Sequence, residues 1–496
     1  MHYYSTRDIN KARPMLSHQA IIKGISEDGG LYMPESIPQL SADDITRIAA
    51  MNYQERAAYI LSLYLTDYDP VYLRDAAERA YSIEHFGNAP APVRKLNGDG
   101  DYVLELWHGP TCAFKDMALQ IMPELLSRAL EMSPDYKALI LVATSGDTGK
   151  AALEGYKDIK NTSILVFYPE EGVSHVQKLQ MATQEGENVR VCAIKGNFDD
   201  AQTGVKRIFA DDAMEKRINE SGYSLSSANS INWGRLVPQI VYYVSAYADM
   251  VAADDIKLGE SLDVCVPTGN FGNIFAAYVA KMMGLPLGKL ICASNSNCVL
   301  TEFIDTGIYD RNREFFTTIS PSMDILISSN LERLLYLIAG AERTSQCMKN
   351  LTYKGKYGLT KAELEIVQTN FCGYYTDDTL TKSAIKNTYD SEGYLLDTHT
   401  AVAVDAAVNY RKTSAYTDKL LICSTANPYK FAPAVLTALK GEKSADGFDS
   451  LRALHKITDA AIPEQLSSIE NKEVRFKQSI EKDEMANVVL DFVKTL

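Results

Sequence analysis

Leu106-Trp107-His108-Gly109-Pro110-Thr111-Cys112-Ala113-Phe114-Lys115-Asp116 lies between an alternating stretch, Asp101 to Leu106, and a run with helical spacing, Met117 to Leu130. It sets one lysine, Lys115, in a short apolar and Gly/Pro context just before the helix. An ammonium with little water around it has a lowered pKa, so the amine can act as nucleophile or base near neutral pH. A Schiff-base lysine needs that property. An ordinary solvated lysine at a helix start fits the same residues, and one lysine in a good context does not decide between the two.

Outward from this stretch the texture repeats. Ala138 to Ala143, Ser163 to Tyr168, Val189 to Ile194, Leu262 to Val266, Leu290 to Ala293 and Lys419 to Cys423 also read as strands. Helical runs near 117–130, 149–157, 174–185, 199–220, 235–251 and 273–283 separate most of them. Alternating strand and helix requires crossover connections, hence a mostly parallel sheet covered on both faces. A single sheet is the expectation. Ligands in such sheets bind beyond the carboxyl ends of the strands. Before Val93 the chain reads as mostly helical, and Ala89-Pro90-Ala91-Pro92 is an extended linker. Residues 308–395 read as a largely helical elaboration with an amphipathic helix in Ser320 to Gly340, Thr400 to Tyr410 as helix, and Ser479 to Lys494 as a helical tail.

The chain has 496 residues, 46% hydrophobic and 23% charged, as in an ordinary globular protein of about three domains. A net charge of −14 argues against nucleic acid or an anionic membrane as partner. Eight scattered cysteines with no CxxC pair fit a reducing cytoplasm. Seven histidines without HxxxH or HExxH spacing give a metal site no support. No apolar run approaches a membrane span, and Met1 to Arg7 lacks the pattern of a secretory signal.

Four further loops are informative, three of them after apolar strands. Pro267-Thr268-Gly269-Asn270-Phe271-Gly272-Asn273 opens a helix, and its glycines let several N–H groups converge on one anion, as in a phosphate cradle. It is neither a Walker loop nor GxGxxG, and a plain strand-to-helix turn fits it equally. Thr144-Ser145-Gly146-Asp147-Thr148-Gly149-Lys150 can hold a carboxylate or phosphate, or merely cap a helix. Ser226 to Arg235 clusters amides, hydroxyls and a guanidinium, which binds phosphate or carboxylate through two parallel hydrogen bonds. It also reads as a polar capping loop. Ser424-Thr425 offers a hydroxyl after a late strand. Together, a lysine, a phosphate cradle, an anion loop and a late hydroxyl are what pyridoxal 5'-phosphate (PLP) asks of a protein.

His108 to Asp116 resembles the PLP-lysine motif of threonine synthases. Ala143 to Gly149, Asn229 to Arg235, Pro267 to Asn273 and Ser424 to Pro428 resemble that family's other signature loops, in the family's order. Tyr4 to Arg7 and Asp28 to Tyr32 resemble its N-terminal domain, and Ser320 to Asn330 a segment of its long fungal and bacterial class. The resemblance implies the tryptophan-synthase β-like α/β fold of PLP enzymes (fold type II). It implies mostly parallel sheets covered by helices and an extra, mainly helical N-terminal domain over residues 1–90. A PLP-binding region would span 91–400, with a small subdomain at about 130–230 and a helical insertion at about 308–395. Residues 401–496 would complete the large domain and add a helical tail.

The resemblance further implies conversion of O-phospho-L-homoserine and water to L-threonine and phosphate. Lys115 would form the Schiff base with PLP. Gly269, Asn270, Phe271 and Asn273 would hold the cofactor phosphate, and Thr425 would face the pyridine nitrogen. Thr144, Ser145, Asp147 and Thr148 would receive the substrate carboxylate and the ring edge. Asn229, Ser230, Asn232 and Arg235 would grip the substrate phosphate. Three residues depart from the family pattern: Asp8 for glycine, Thr398 for proline and Asn427 for histidine. A monomer is expected, since the long class is often monomeric. Another PLP lyase of the same fold, such as a serine or threonine dehydratase, is the rival enzyme. A PLP-binding protein without catalysis is the rival outside enzymes.

Overall fold

The computed structural model describes residues 1–496 apart from 97–99, 145, 172, 414–418 and 442–446, and apart from the side chain of Asp199. In chain order the strands are β1 (Tyr3–Ser5), β2 (Tyr32–Pro34), β3 (Val93–Lys95), β4 (Asp101–Glu105), β5 (Lys137–Ala143), β6 (Thr162–Pro169), β7 (Val189–Lys195) and β8 (Tyr223–Ser226). They continue as β9 (Leu262–Pro267), β10 (Leu287–Ser294), β11 (Ile308–Asp310), β12 (Lys356–Gly358), β13 (Phe371–Tyr375), β14 (Leu420–Ser424) and β15 (Ser479–Glu481).

These strands build two main sheets, not the single sheet expected. One has six strands in the order β13-β10-β9-β14-β4-β3, parallel except for the edge strand β3. The other has five parallel strands in the order β15-β7-β6-β5-β8. Alternation along a chain specifies crossovers but not which strands become neighbours, so one sheet and two look alike in sequence. The α/β architecture with mostly parallel sheets is observed as expected.

Three other readings change. The block 308–395 is not only helical: β13 extends the six-stranded sheet and β11 pairs with β12. The final segment is not a plain helical tail, because β15 closes the β7 edge before the helix Met485–Thr495 packs on the same sheet. The run after Lys115 is two helices, Asp116–Leu119 and Met122–Met132. Pro123 has no N–H to give Leu119, so the first helix cannot continue through it.

The N-terminal segment is mainly helical, with β1 and β2 paired antiparallel. Three of its helices start on side-chain caps, as at Ser41, which accepts from the Asp44 amide while Asp44 reaches back to the Ser41 amide. The segment shares one apolar core with the six-stranded sheet. Trp233, at the start of the helix Trp233–Ala252, lies between Tyr3 and Tyr64 at ring distances of 5.7 and 5.6 Å. No helix among the described residues is long and apolar enough to cross a membrane.

Candidate active site

Three adjacent strands of the six-stranded sheet, β9, β14 and β4, run in the same direction, so their carboxyl ends share one rim. The loop after β4 carries Lys115, the loop after β14 carries Thr425, and the loop after β9 is the glycine turn. Two of these loops are tied together. Phe114 N–H donates to the Thr425 carbonyl at 2.9 Å, and Asn427 N–H to the Cys112 carbonyl at 3.0 Å. Asp116 is fully buried and accepts from the Thr111 amide and hydroxyl at 2.8 and 2.7 Å. A Cβ at Gly109 would stand 2.5 Å from Asp116 Cβ, so only glycine allows this close fold of the loop. Burial pushes the Asp116 carboxyl up to about 6.

Lys115 Nζ points inward, with 11% of its side chain exposed. It lies 3.5 Å from Asp147 Oδ2 and 3.3 Å from Ser322 Oγ. Burial lowers its pKa, with Asp147 opposing the shift and Lys430 and Arg235 adding to it. An amine of this kind is ready to attack an aldehyde. Asp147 comes from the other sheet, at the helix start after β5. Burial works to raise its carboxyl. The ammonium groups of Lys430, 2.9 Å from Oδ1, and Lys115 prevail and hold it well below the usual carboxylate range.

The glycine turn has the form of an anion cradle. Phe271 takes a left-handed backbone (φ 61°) just before the helix Gly272–Met282. The Gly269 carbonyl accepts from Ser328 Oγ, and the Asn270 carbonyl from the Asn330 amide and Nδ2. The N–H groups of Gly269 to Ile274 have no acceptor among the described residues. Asn273 accepts from both Tyr242 and Tyr243 hydroxyls, which leaves its buried Nδ2 without a partner. Unsatisfied donors around a helix start are costly unless an anion or water meets them. These donors, the Lys115 amine and the Thr425 loop on one rim fit a cofactor bearing an aldehyde and a phosphate.

The five-stranded sheet supplies the opposite wall. Thr144 Oγ1 accepts from the Gly146 and Gly149 amides, which curls the loop and leaves the amides of Asp147 and Thr148 without acceptors among the described residues. Ser145 lies outside the described residues. After β8, Arg235 is 4% exposed, donates to the Ala228 carbonyl, and has its Nε buried without a partner. It forms no ion pair with a described carboxylate, and burial lowers its pKa to about 10. Asn229 is exposed, and Ser230 Oγ accepts from Asn330 Nδ2 at 3.3 Å.

Asn232 does not join them. It is fully buried, donates to the Ile21 carbonyl at 2.9 Å and caps the next helix through the Gly234 amide. Its side chain anchors the N-terminal segment to the start of this helix.

Sequence reading missed Lys430, Ser322 and Asn330. Lys430 follows the Ser424–Pro428 loop, where a lysine after proline and tyrosine reads as surface. Asn427, a departure from the family pattern, accepts from the Tyr429 amide and so caps the short turn that carries Lys430. The signal for Ser322 and Asn330 was the quoted Ser320–Asn330 segment, which carried no assigned role.

Three family models match the chain: "Threonine synthase N terminus" over residues 2–81, "Pyridoxal-phosphate dependent enzyme" over 86–425 and "Threonine synthase, C-terminal" over 400–490. The human protein "Threonine synthase-like 1" is 43% identical over 434 residues, covering 85% of this chain; the chain spans only 58% of that protein's length. Threonine synthase of Pseudomonas aeruginosa is 38% identical, covering 90% of this chain and 92% of its own. The crystal structure of PLP-bound threonine synthase from Brucella melitensis superposes with a TM-score of 0.87 at 34% identity, covering 100% of this chain and 99% of that one.

Proposed function

The chain belongs to the threonine synthase family, and from that premise we propose that it converts O-phospho-L-homoserine and water to L-threonine and phosphate with PLP as cofactor. The observation that carries the choice of substrate is Arg235. A buried guanidinium without a carboxylate partner, close enough to Lys115 to lower its pKa, calls for an anionic ligand. Asn229 and Ser230 would help Arg235 grip the substrate phosphate. The open amides of Asp147 and Thr148, with Thr144, would receive its carboxylate. Gly269, Asn270, Phe271 and Asn273 would hold the cofactor phosphate, and Thr425 would face the ring nitrogen.

Bound there, PLP would supply an electron sink next to the carbon that loses a proton. The chain does the rest. Lys115, once displaced by the substrate amine, serves as general base at Cα. As an ammonium it holds the proton against Asp147 and returns it to substrate carbon. Arg235 steadies the phosphate as it departs. The division at residues 90 and 400, a monomeric state, a cytoplasmic location and the absence of nucleic-acid partners belong to the same reading.

The purified, PLP-loaded protein given O-phospho-L-homoserine should release phosphate and form threonine in equal amounts. Ammonia release in place of threonine would point to a dehydratase and overturn the assignment.

A further inference from the structure

Two segments have no part in the scheme above, Ser320–Asn330 and the turn Asp397–Thr400, and they meet beside Lys115. Ser322 sits in a single 3-10 turn, Pro321–Met323, with its hydroxyl 3.3 Å from Lys115 Nζ. Its amide donates to His399 Nε2 at 3.1 Å, so the ring proton resides on Nδ1, which faces Asp397 Oδ1 at 3.1 Å. Asp397 is 1% and His399 3% exposed, and Phe431 packs edge-on against the imidazole at 4.8 Å. The other carboxylate oxygen of Asp397 accepts from the Thr400 hydroxyl, whose oxygen accepts from the Thr425 amide at 3.3 Å. One buried N-cap carboxylate therefore supports both Ser322, beside the reacting amine, and the backbone amide of Thr425 in the late loop.

We propose that Ser322 is a further catalytic residue whose hydroxyl holds the Lys115 amine in line with the substrate, and that Asp397 and His399 are the positioning residues that place it. This rests on the reading of Lys115 as the reacting amine. When Lys115 takes the Cα proton it becomes an ammonium in a dry site, and it needs acceptors there. Asp147 Oδ2, at 3.5 Å, is a distant one. Ser322 Oγ accepts a second N–H and so fixes where the third points, toward the substrate carbon that takes the proton back. No bond to Ser322 is made or broken, and the proton taken at Cα is the one returned. The turn also touches the cofactor cradle: a Cβ at Gly269 would stand 2.8 Å from the Ser322 carbonyl oxygen.

The test uses the full chain loaded with PLP and the variants Ser322→Ala, His399→Gln, His399→Phe and Ser322→Ala/His399→Phe. Ser322→Ala should lower kcat about 10- to 100-fold, the worth of a hydrogen bond to a charged group, with KM changed less than about threefold. His399→Phe should lose a similar factor, and the double variant no more than the worse single. His399→Gln, whose side-chain oxygen can accept the Ser322 amide, should keep most of the activity.

A second readout needs no turnover: the pH midpoint for modification of Lys115 by an amine reagent in the unloaded chain, followed by peptide mass spectrometry. The charged groups facing Lys115 are Asp147, Lys430 and Arg235, and all remain in Ser322→Ala. The midpoint should still fall by about half a unit or more, because the ammonium loses an acceptor. An unmoved midpoint with kcat within twofold overturns the proposal, and so do losses that multiply in the double variant. If the wild-type chain ignores O-phospho-L-homoserine while the midpoint shifts as expected, the substrate assignment fails and the Ser322 contact stands.

Discussion

Replacing Lys430 with methionine removes a buried ammonium and keeps most of its apolar stem. Its Nζ lies 2.9 Å from Asp147 Oδ1, with none of the side chain exposed. It also donates to the Thr111 carbonyl at 2.7 Å. Breaking a buried ion pair by removing one partner costs about 3–5 kcal/mol, since the other charge stays behind in a dry site. Asp147 keeps Lys115 at 3.5 Å and Gln177 Nε2 at 3.1 Å, which sets the loss near the lower end, about 3 kcal/mol. Unfolding entropy is about 2.1 cal/mol/K per residue, so 496 residues give about 1 kcal/mol/K. The melting midpoint of Lys430→Met should then drop by about 3 °C for a chain that melts as one unit.

The sign with pH follows from Asp147. Its folded pKa is depressed, so the stability it contributes is present above the unfolded value of about 3.9 and lost only as pH falls below that value toward the lower folded one. The gap between wild type and Lys430→Met should be full at pH 7, still nearly full at pH 4, and narrow only below that. Thermal melts at both pH values, with Asp147→Asn/Lys430→Met alongside, check the argument. The double variant should recover more than half the loss. A single variant that melts within 1 °C of wild type, or a double variant no better than the single, would refute the reasoning.

Lys115→Ala should keep the fold and lose phosphate release by about 10²–10⁴-fold or more, the range for a general base, as measured by a phosphate assay and circular dichroism. Arg235→Gln should lower kcat/KM for the phosphorylated substrate about 10- to 100-fold and weaken inhibition by inorganic phosphate in parallel, which steady-state kinetics would show. Gly269→Ala places a methyl 2.8 Å from the Ser322 carbonyl oxygen, so PLP affinity measured by absorbance titration should fall about tenfold while the melting midpoint of the unloaded chain moves little.

The loops that build the site were legible because their chemistry is local. Glycines at 269 and 272 before a helix, a hydroxyl at Thr425 after a strand, and a lysine at 115 in an apolar setting each announce themselves within a few residues. Pairings across the chain were not. The five residues of β13, Phe-Cys-Gly-Tyr-Tyr, lie in a polar, tyrosine-rich block and become a strand only against β10. Lys430 can be buried because Asp147, from the other sheet, arrives to neutralise it and the Thr111 carbonyl accepts a second N–H. Asn232 looked like a ligand-binding amide, since nothing local reveals that the Ile21 carbonyl will claim it.

The closing strand β15 has one more consequence. Its three residues cover the side of β7 that would otherwise present unpaired peptide groups, and Ile480, Val489 and Phe492 seal the apolar layer beneath. A chain cut before Ser479 would keep every residue assigned to chemistry and yet carry a bare, sticky margin. Such an edge recruits strands from other molecules. The first symptom of losing these last residues should thus be clumping during purification, well before any defect in catalysis is seen.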